Sequence, residues 1–372
     1  MDYKRTRVIL SEGSPRAEVE GSHPAGLLRP SGLQHDNYML VNLNHILHKA
    51  RKGGYAVPAF NINNLEICQA VIDAAEALKS PVILQTSEGA LEYAGMEYLA
   101  AIARVAAKSA AVPVVFHLDH GKNEKLVREA IRSGFYTSVM FDGSLLPFKQ
   151  NVTHTRAIVK LAHARKMTVE AELGPIAGAE DLVDVKKREA FFTDPTQAEQ
   201  FVKETGCDEL AISIGTAHGA YKLSPPFKGS LTGRASAGPG GVGGGSAIKL
   251  DLKRLAEIGE RVHIPLVLHG ASGISKKWLN RLHAQCAKLG DCDRLAGAQG
   301  IPLAEEKNAI KLGIAKINID SDLRIAFTTG VREVLLTNTH EFDPRKILGP
   351  ARALMTELAK EKIRAFGCVG KA

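Results

Sequence analysis

From Val57 onward the chain alternates short β-rich runs with helical stretches, and run after run ends in a polar or ionisable residue. The strand-like runs are 57–61, 82–86, 114–118, 137–141, 168–172, 210–214, 265–269 and 314–319. Between them lie segments such as 65–79, where Ile67, Val71, Ala74, Ala75 and Leu78 recur at helical spacing on one face. That alternation builds βα units and a parallel sheet. Eight units satisfy a (β/α)8 TIM barrel, and a doubly wound sheet with an extra domain is the competing architecture. The polar ends favour the barrel. Asn61, Ser87, Asp119, Asp142, Glu172, His218, His269 and Asn318 close or follow the runs, and a TIM barrel gathers the C-terminal ends of its strands at one mouth, where chemistry takes place. The expected fold is a single α/β barrel domain.

At 372 residues and 45% hydrophobic content the chain can bury the large core such a barrel needs. Residues 1–38 differ from the rest, carrying Pro, Gly, Ser and mixed charge without an apolar period. They are expected to form a disordered N-terminal extension, leaving 39–372 as the barrel with a C-terminal helical segment. Their acidic residues and missing apolar core argue against a transit or signal peptide. Met39 opens an amphipathic stretch through Ala50 that suits an alternative start.

The net charge of +8 is scattered among acidic residues, without an aromatic-interleaved basic stripe, so nucleic acid is not an expected partner. No apolar run reaches the roughly 20 residues that span a bilayer. Five cysteines lie far apart with no CxxC pair, the usage of reduced thiols in a cytoplasmic protein.

Three of the runs end in histidine. Val114–Leu118 leads into Asp119, His120 and Gly121; 210–214 leads into Gly215-Thr-Ala-His218-Gly219; and Pro265–Leu268 leads into His269-Gly270-Ala271-Ser272-Gly273. Neutral imidazoles bind zinc, and three protein ligands leave a position open for substrate. Singly, each histidine reads as a hydrogen-bonded strand end; their shared barrel face makes His120, His218 and His269 a candidate metal set. Asp119 would project to the opposite side of a regular strand from His120, which suits a general acid or base, with capping of the next helix as the plainer role. Glu172 and Asp142 are candidates for an alternate metal position or for orienting a histidine.

Two connections exceed ordinary α/β lengths. The segment 174–193 carries Glu180 and Asp181 between glycine-containing flanks and could close over a ligand. The segment 221–249 holds a glycine-rich stretch at 238–245, but no strand precedes it and no helix opens directly after it. It therefore reads as a flexible loop rather than a dinucleotide fingerprint. Gly270 to Gly273 and Asn318 to Ser321 follow the last two strands, where barrels hold phosphate on backbone N–H groups and a helix N-terminus. A phosphorylated substrate is the expectation.

HLDHG at 117–121, EAELG at 170–174, GTAHG at 215–219, LHGASG at 268–273 and KINIDSDLR at 316–324 together resemble the class II, metal-dependent fructose-bisphosphate aldolases. The likeness runs from about Met39 to the FDPRKILGPA and FGCVGKA segments. It implies a (β/α)8 barrel that interconverts fructose 1,6-bisphosphate with dihydroxyacetone phosphate and glyceraldehyde 3-phosphate as a homodimer or homotetramer. It also implies His120, His218 and His269 as ligands of a catalytic Zn2+, with room for a monovalent cation, and Glu172 and Asp142 as the alternate metal position. Asp119 would serve as acid/base on the C4 hydroxyl, and Glu180 would move the proton on dihydroxyacetone phosphate. Asn61, Ser87, Gly219, Gly270, Ala271, Ser272, Gly273, Asn318, Asp320 and Ser321 would line the phosphate and triose sites.

Related enzymes acting on tagatose 1,6-bisphosphate tend to lack the aspartate present here as Asp320, which favours the fructose ester. Two features depart from the pattern. Gly349 stands where some relatives place an arginine for the C6 phosphate, so Arg352 or Arg324 is expected to supply that charge, and the 221–249 loop is long. Competing readings are an imine-forming aldolase using Lys316, a metal-dependent hydrolase, and an inactive aldolase-like scaffold.

Overall fold

The structure, a computed structural model, describes residues 39–174, 192–216, 249–271, 273, 275–289 and 301–372. The expected N-terminal extension, the glycine-rich stretch, Glu180, His218, Gly219 and Ser272 therefore lie outside the described residues. Eight parallel strands close into a barrel in chain order. They are β1 Val57–Asn61, β2 Val82–Ser87, β3 Val114–Gly121, β4 Ser138–Phe141, β5 Thr168–Leu173, β6 Glu209–Ile212, β7 Leu266–Leu268 and β8 Ile314–Ile319. The seam is β1 against β8, with Ala59 opposite Asn318. The TIM-barrel expectation holds, and a doubly wound sheet is excluded.

Each strand is buried on both faces, as helices outside and packed side chains inside require. Phe116 and Leu118 of β3, Val169 and Ala171 of β5, and Ile317 and Ile319 of β8 belong to the main apolar cluster shared with the helical layer. Alternate residues turn inward. Met140, Ala211 and Val267 form a small apolar cluster of their own, contributed by β4, β6 and β7. The rest of the interior is unusually polar: Gln85, His117, Ser138, Glu170, Glu209 and Lys316 are all buried, where barrels mostly carry branched apolar residues.

The helix Leu43–Gly53 starts at Asn42, whose side chain accepts from His45 N. Its buried face is Leu43, Ile46, Leu47 and Ala50. Leu43 N donates to Thr168 Oγ1 at the first residue of β5, and Leu40 bridges Val114 at the first residue of β3. The helix thus covers the N-terminal end of the barrel and leaves the opposite end for the site. At the far end of the chain, the helix Pro344–Ala365 buries Met355, Leu358, Ala359 and Ile363.

The element boundaries differ from expectation at informative places. β3 runs on through Asp119, His120 and Gly121 rather than ending at Leu118, and β7 shrinks to three residues, so His269 lies just past its end. Cys68, Cys207 and Cys368 are buried free thiols, each pushed by burial up to about 12. They are inert at neutral pH.

Candidate metal centre and active site

Gln85, Asn61, Asp119, Asn318 and His269 come from five strands or strand ends and form one buried hydrogen-bonded chain. Gln85 Nε2 donates to Asn61 Oδ1 at 2.7 Å, and Asn61 Nδ2 donates to Asp119 Oδ2 at 2.9 Å. Asn318 Nδ2 lies 2.9 Å from Asp119 Oδ1 and 2.9 Å from His269 Nδ1. A carboxylate only accepts, so both asparagines must turn their amide nitrogens toward Asp119. Burial works against charge on Asp119, but His120, His269 and Lys316 together with the Asn61 hydrogen bond outweigh it, and the carboxyl is held below its ordinary range. The outcome is an ionised carboxylate with both oxygens oriented.

Asp119 does not cap the following helix. Asn123 does, accepting from Lys125 N and Leu126 N. Nor does Asp119 point away from His120. The β3–β4 register shifts between Leu118 and Gly121, and His120 has φ +46°, a left-handed conformation rare outside glycine. This kink defeats the regular alternation. One candidate ligand atom from each of Asp119, His120 and His269 falls within 4.8 Å of the others. The kink also explains Gly121, where a Cβ would sit 2.4 Å from Val127 Cγ2 and 2.5 Å from the Met140 carbonyl oxygen.

His120 joins a second group, with Asp142 and Glu172, whose ligand atoms likewise lie within 4.8 Å. His120 Nδ1 is 3.1 Å from Asp142 Oδ2 and 3.7 Å from Glu172 Oε2. Ser144 Oγ donates to Asp142 Oδ1 at 2.6 Å. Burial opposes charge on both partners, but Asp119, Asp142 and Glu172 raise His120 to about 9, and the hydrogen bonds from His120 and Ser144 hold Asp142 well below the ordinary carboxylate range. Imidazole nitrogen beside carboxylate oxygen is a donor set that divalent transition metals accept.

Around this centre, Gly270, Ala271 and Gly273 follow β7. A Cβ on Gly273 would approach the Ile301 carbonyl oxygen to 2.7 Å, and its own carbonyl accepts from Lys362 Nζ at 3.0 Å. Asp320 and Ser321 open the helix Ser321–Thr337 after β8, with Asp320 accepting from Arg324 Nε at 2.8 Å. Arg352 lies elsewhere, bound to Asp73 and Gln69 on the outer helix Leu65–Ala77. Ser87 caps the helix Glu88–Ala94 through Ala90 N.

Sequence reading missed Gln85 and Glu170 beneath the mouth, which lie inside strands with no strand-end signal to mark them. Lys316, the imine candidate, points into the barrel and pairs with Glu170 at 2.8 Å with neither side chain exposed.

A closed parallel barrel with histidine and carboxylate side chains clustered at the C-terminal strand ends has the layout of a barrel enzyme with a candidate metal site. The family model described as "Fructose-bisphosphate aldolase class-II" matches residues 41–371. The chain belongs to the class II fructose-bisphosphate aldolase family, a metal-dependent group of lyases. It is 47% identical over 335 residues to the fructose-bisphosphate aldolase of Thermus caldophilus, covering 90% of this chain and 100% of that one. It is 43% identical over 342 residues to the fructose-bisphosphate aldolase of Treponema pallidum, covering 90% and 98%. Among solved structures, the YdjI aldolase of Escherichia coli K12 superposes with a TM-score of 0.67 at 31% identity, covering 90% of this chain and 99% of that one.

Proposed function

We infer that the protein cleaves fructose 1,6-bisphosphate to dihydroxyacetone phosphate and glyceraldehyde 3-phosphate, and runs the reverse condensation in glycolysis and gluconeogenesis. The observation that carries this reading is Asp119, ionised between two amide donors and beside His120 and His269. In cleavage, an Asp119 oxygen takes the proton of the C4 hydroxyl; in condensation it returns that proton. Asn61 and Asn318 keep the carboxylate aimed and leave it no freedom to rotate away.

His120, His218 and His269 would hold a Zn2+, with Asp142 and Glu172 beside His120 as the alternate position. When bound, the ion supplies Lewis-acid stabilisation of the negative charge left as the C3–C4 bond breaks. Glu180 would move the proton on dihydroxyacetone phosphate. One phosphate is assigned to the segment Gly270 to Gly273 with Ser272, and to the N-terminus of the helix Ser321–Thr337. Gly219 and Asp320 complete the triose site, and Arg324 supplies charge for the other phosphate. The assembly is proposed as a homodimer or homotetramer in the cytoplasm, consistent with buried reduced thiols and with no described helix long and apolar enough to cross a membrane.

Coupled detection of triose phosphates from fructose 1,6-bisphosphate, run beside its C4 epimer tagatose 1,6-bisphosphate, tests the assignment. The reading predicts a clear preference for the fructose ester. Preference for the epimer, or release of inorganic phosphate in place of triose phosphates, contradicts it.

A further inference from the structure

His269 is held from both sides, by β8 through Asn318 and by β5 through Glu170. On one side, Asn318 Nδ2 lies 2.9 Å from His269 Nδ1. On the other, His269 Nε2 lies 2.5 Å from Glu170 Oε1, and the second oxygen of Glu170 accepts from Lys316 Nζ at 2.8 Å. His269, Glu170 and Lys316 all have no exposure to solvent. Lys316 and Asn318 are two residues apart on one strand and so turn to the same, inner face.

The hydrogen-bond roles follow from the donors available. A carboxylate has no proton to give, so His269 Nε2 carries the hydrogen and donates to Glu170. The Asn318 amide nitrogen is fixed as a donor by its bond to Asp119 Oδ1, so it meets a lone pair at Nδ1. Both ends agree on one tautomer. Nδ1, the nitrogen 3.8 Å from Asp119 Oδ1, carries the lone pair, which accepts from Asn318 in this structure and which a metal ion would take in place of that hydrogen bond.

We propose that Lys316 and Glu170 act as a positioning pair, in which Lys316 anchors Glu170 so that Glu170 fixes the Nε2–H tautomer of His269 and tunes its strength as a metal ligand. The inference rests on the metal reading above. A histidine's second nitrogen commonly meets a carboxylate behind a metal, and such outer partners set ring orientation and ligand basicity. Here the carboxylate has an anchor of its own. His117 Nε2, 3.5 Å from the same Glu170 oxygen, is the other neighbour on that side.

The test uses the full chain, stripped of metal, with zinc affinity measured by competition against a chromophoric chelator and histidine tautomers read by nitrogen-15 NMR. In Glu170→Gln, Lys316 claims the amide oxygen and leaves the amide NH2 facing His269 Nε2. The ring then meets a donor at each nitrogen, Asn318 at Nδ1 and the new amide at Nε2, and loses one hydrogen bond whichever tautomer it takes. Zinc affinity is expected to fall about 10- to 100-fold, with one histidine losing its uniform Nε2–H pattern for a mixture of tautomers.

In the double variant Glu170→Gln with Lys316→Met, the amide oxygen is released to accept from Nε2, and most of the lost affinity and the original tautomer should return. Glu170→Asp keeps the charge for Lys316 but shortens the reach to Nε2, giving a second route to weakened zinc binding should Glu170→Gln fold poorly. Wild-type affinity in both Glu170 variants, or a double variant as weak as Glu170→Gln alone, overturns the proposal. Failure of the metal reading shows itself separately, as wild-type protein that takes up no zinc, and it removes the basis of this inference as well.

Discussion

Asp119 and His120 are consecutive in the chain and yet bring ligand atoms within 4.8 Å of each other and of His269. Regular β geometry sends neighbouring side chains to opposite faces. The left-handed backbone at His120, φ +46°, and the shifted register after Leu118 convert that opposition into convergence. Strain of this kind is sustained only where surrounding structure over-determines it, and here the Asp142 hydrogen bond to His120 and the close packing at Gly121 do so.

Gly121→Ala tests that convergence. Its new Cβ would meet the Met140 carbonyl oxygen and Val127, and a backbone oxygen cannot step aside as a flexible side chain can. The expected loss is about 1–3 kcal/mol of stability, together with weaker zinc binding as His120 is displaced. Chemical denaturation beside metal titration measures both. An alanine variant with wild-type stability and metal affinity would show that the turn tolerates a side chain.

Asp119→Asn removes the proposed base and sets an amide NH2 against one of two fixed donors, Asn61 or Asn318. Turnover should fall by about 10^2- to 10^4-fold while bound zinc is retained. Loss of the ion along with activity would assign Asp119 to the ligand set instead of to proton transfer.

Two arginines compete for the second phosphate. Arg324 opens onto Asp320 at the mouth, whereas Arg352 is tied to Asp73 and Gln69 on the outer helical layer. Arg324→Ala is expected to raise the Michaelis constant for the bisphosphate several-fold with little change in turnover, and Arg352→Ala to leave it unchanged. Steady-state kinetics of the two variants decide the matter, and the reverse pattern would move the phosphate site.

Glu209 stands opposite Glu170 in the β5–β6 register, fully buried, with neither carboxylate oxygen hydrogen-bonded. Burial first, then Asp208 and Glu170, push its carboxyl well above the ordinary 4.5, against the pull of Lys316. A carboxyl raised in the folded state contributes stability that is complete below about 4.5 and lost as pH climbs through the raised value. Glu209→Gln removes that loss. The variant should be more stable than wild type by on the order of 1 kcal/mol at the alkaline end and show a flatter stability profile with pH. Denaturation midpoints across the pH range measure this, and an unchanged slope would mean that Glu209 is ionised in the folded protein.

The fold was legible because its signals are local. Apolar runs, helical faces and polar strand ends such as Asn61 and Asn318 each follow from a few adjacent residues, and the barrel needs only their repetition. The same logic singled out Asp119, His120 and His269, which the structure brings together. It misplaced Asp119 relative to His120, because periodicity assumes regular backbone and a single positive φ is invisible to it. Glu170 and Glu209 escaped notice, and Lys316 stood out only as an imine candidate, for a different reason: a charged residue within a strand carries no mark of whether its partners lie across a barrel. Arg352, offered from its place in the sequence alone, proved to be spent on a helix–helix ion pair.

The most direct measurement is fructose 1,6-bisphosphate cleavage by the wild-type protein before chelation, after exhaustive chelation, and after zinc is restored. The candidate histidine and carboxylate ligands beside Asp119 predict activity that disappears with the metal and returns with it. Activity that survives chelation would contradict the account and return attention to a lysine-based imine route.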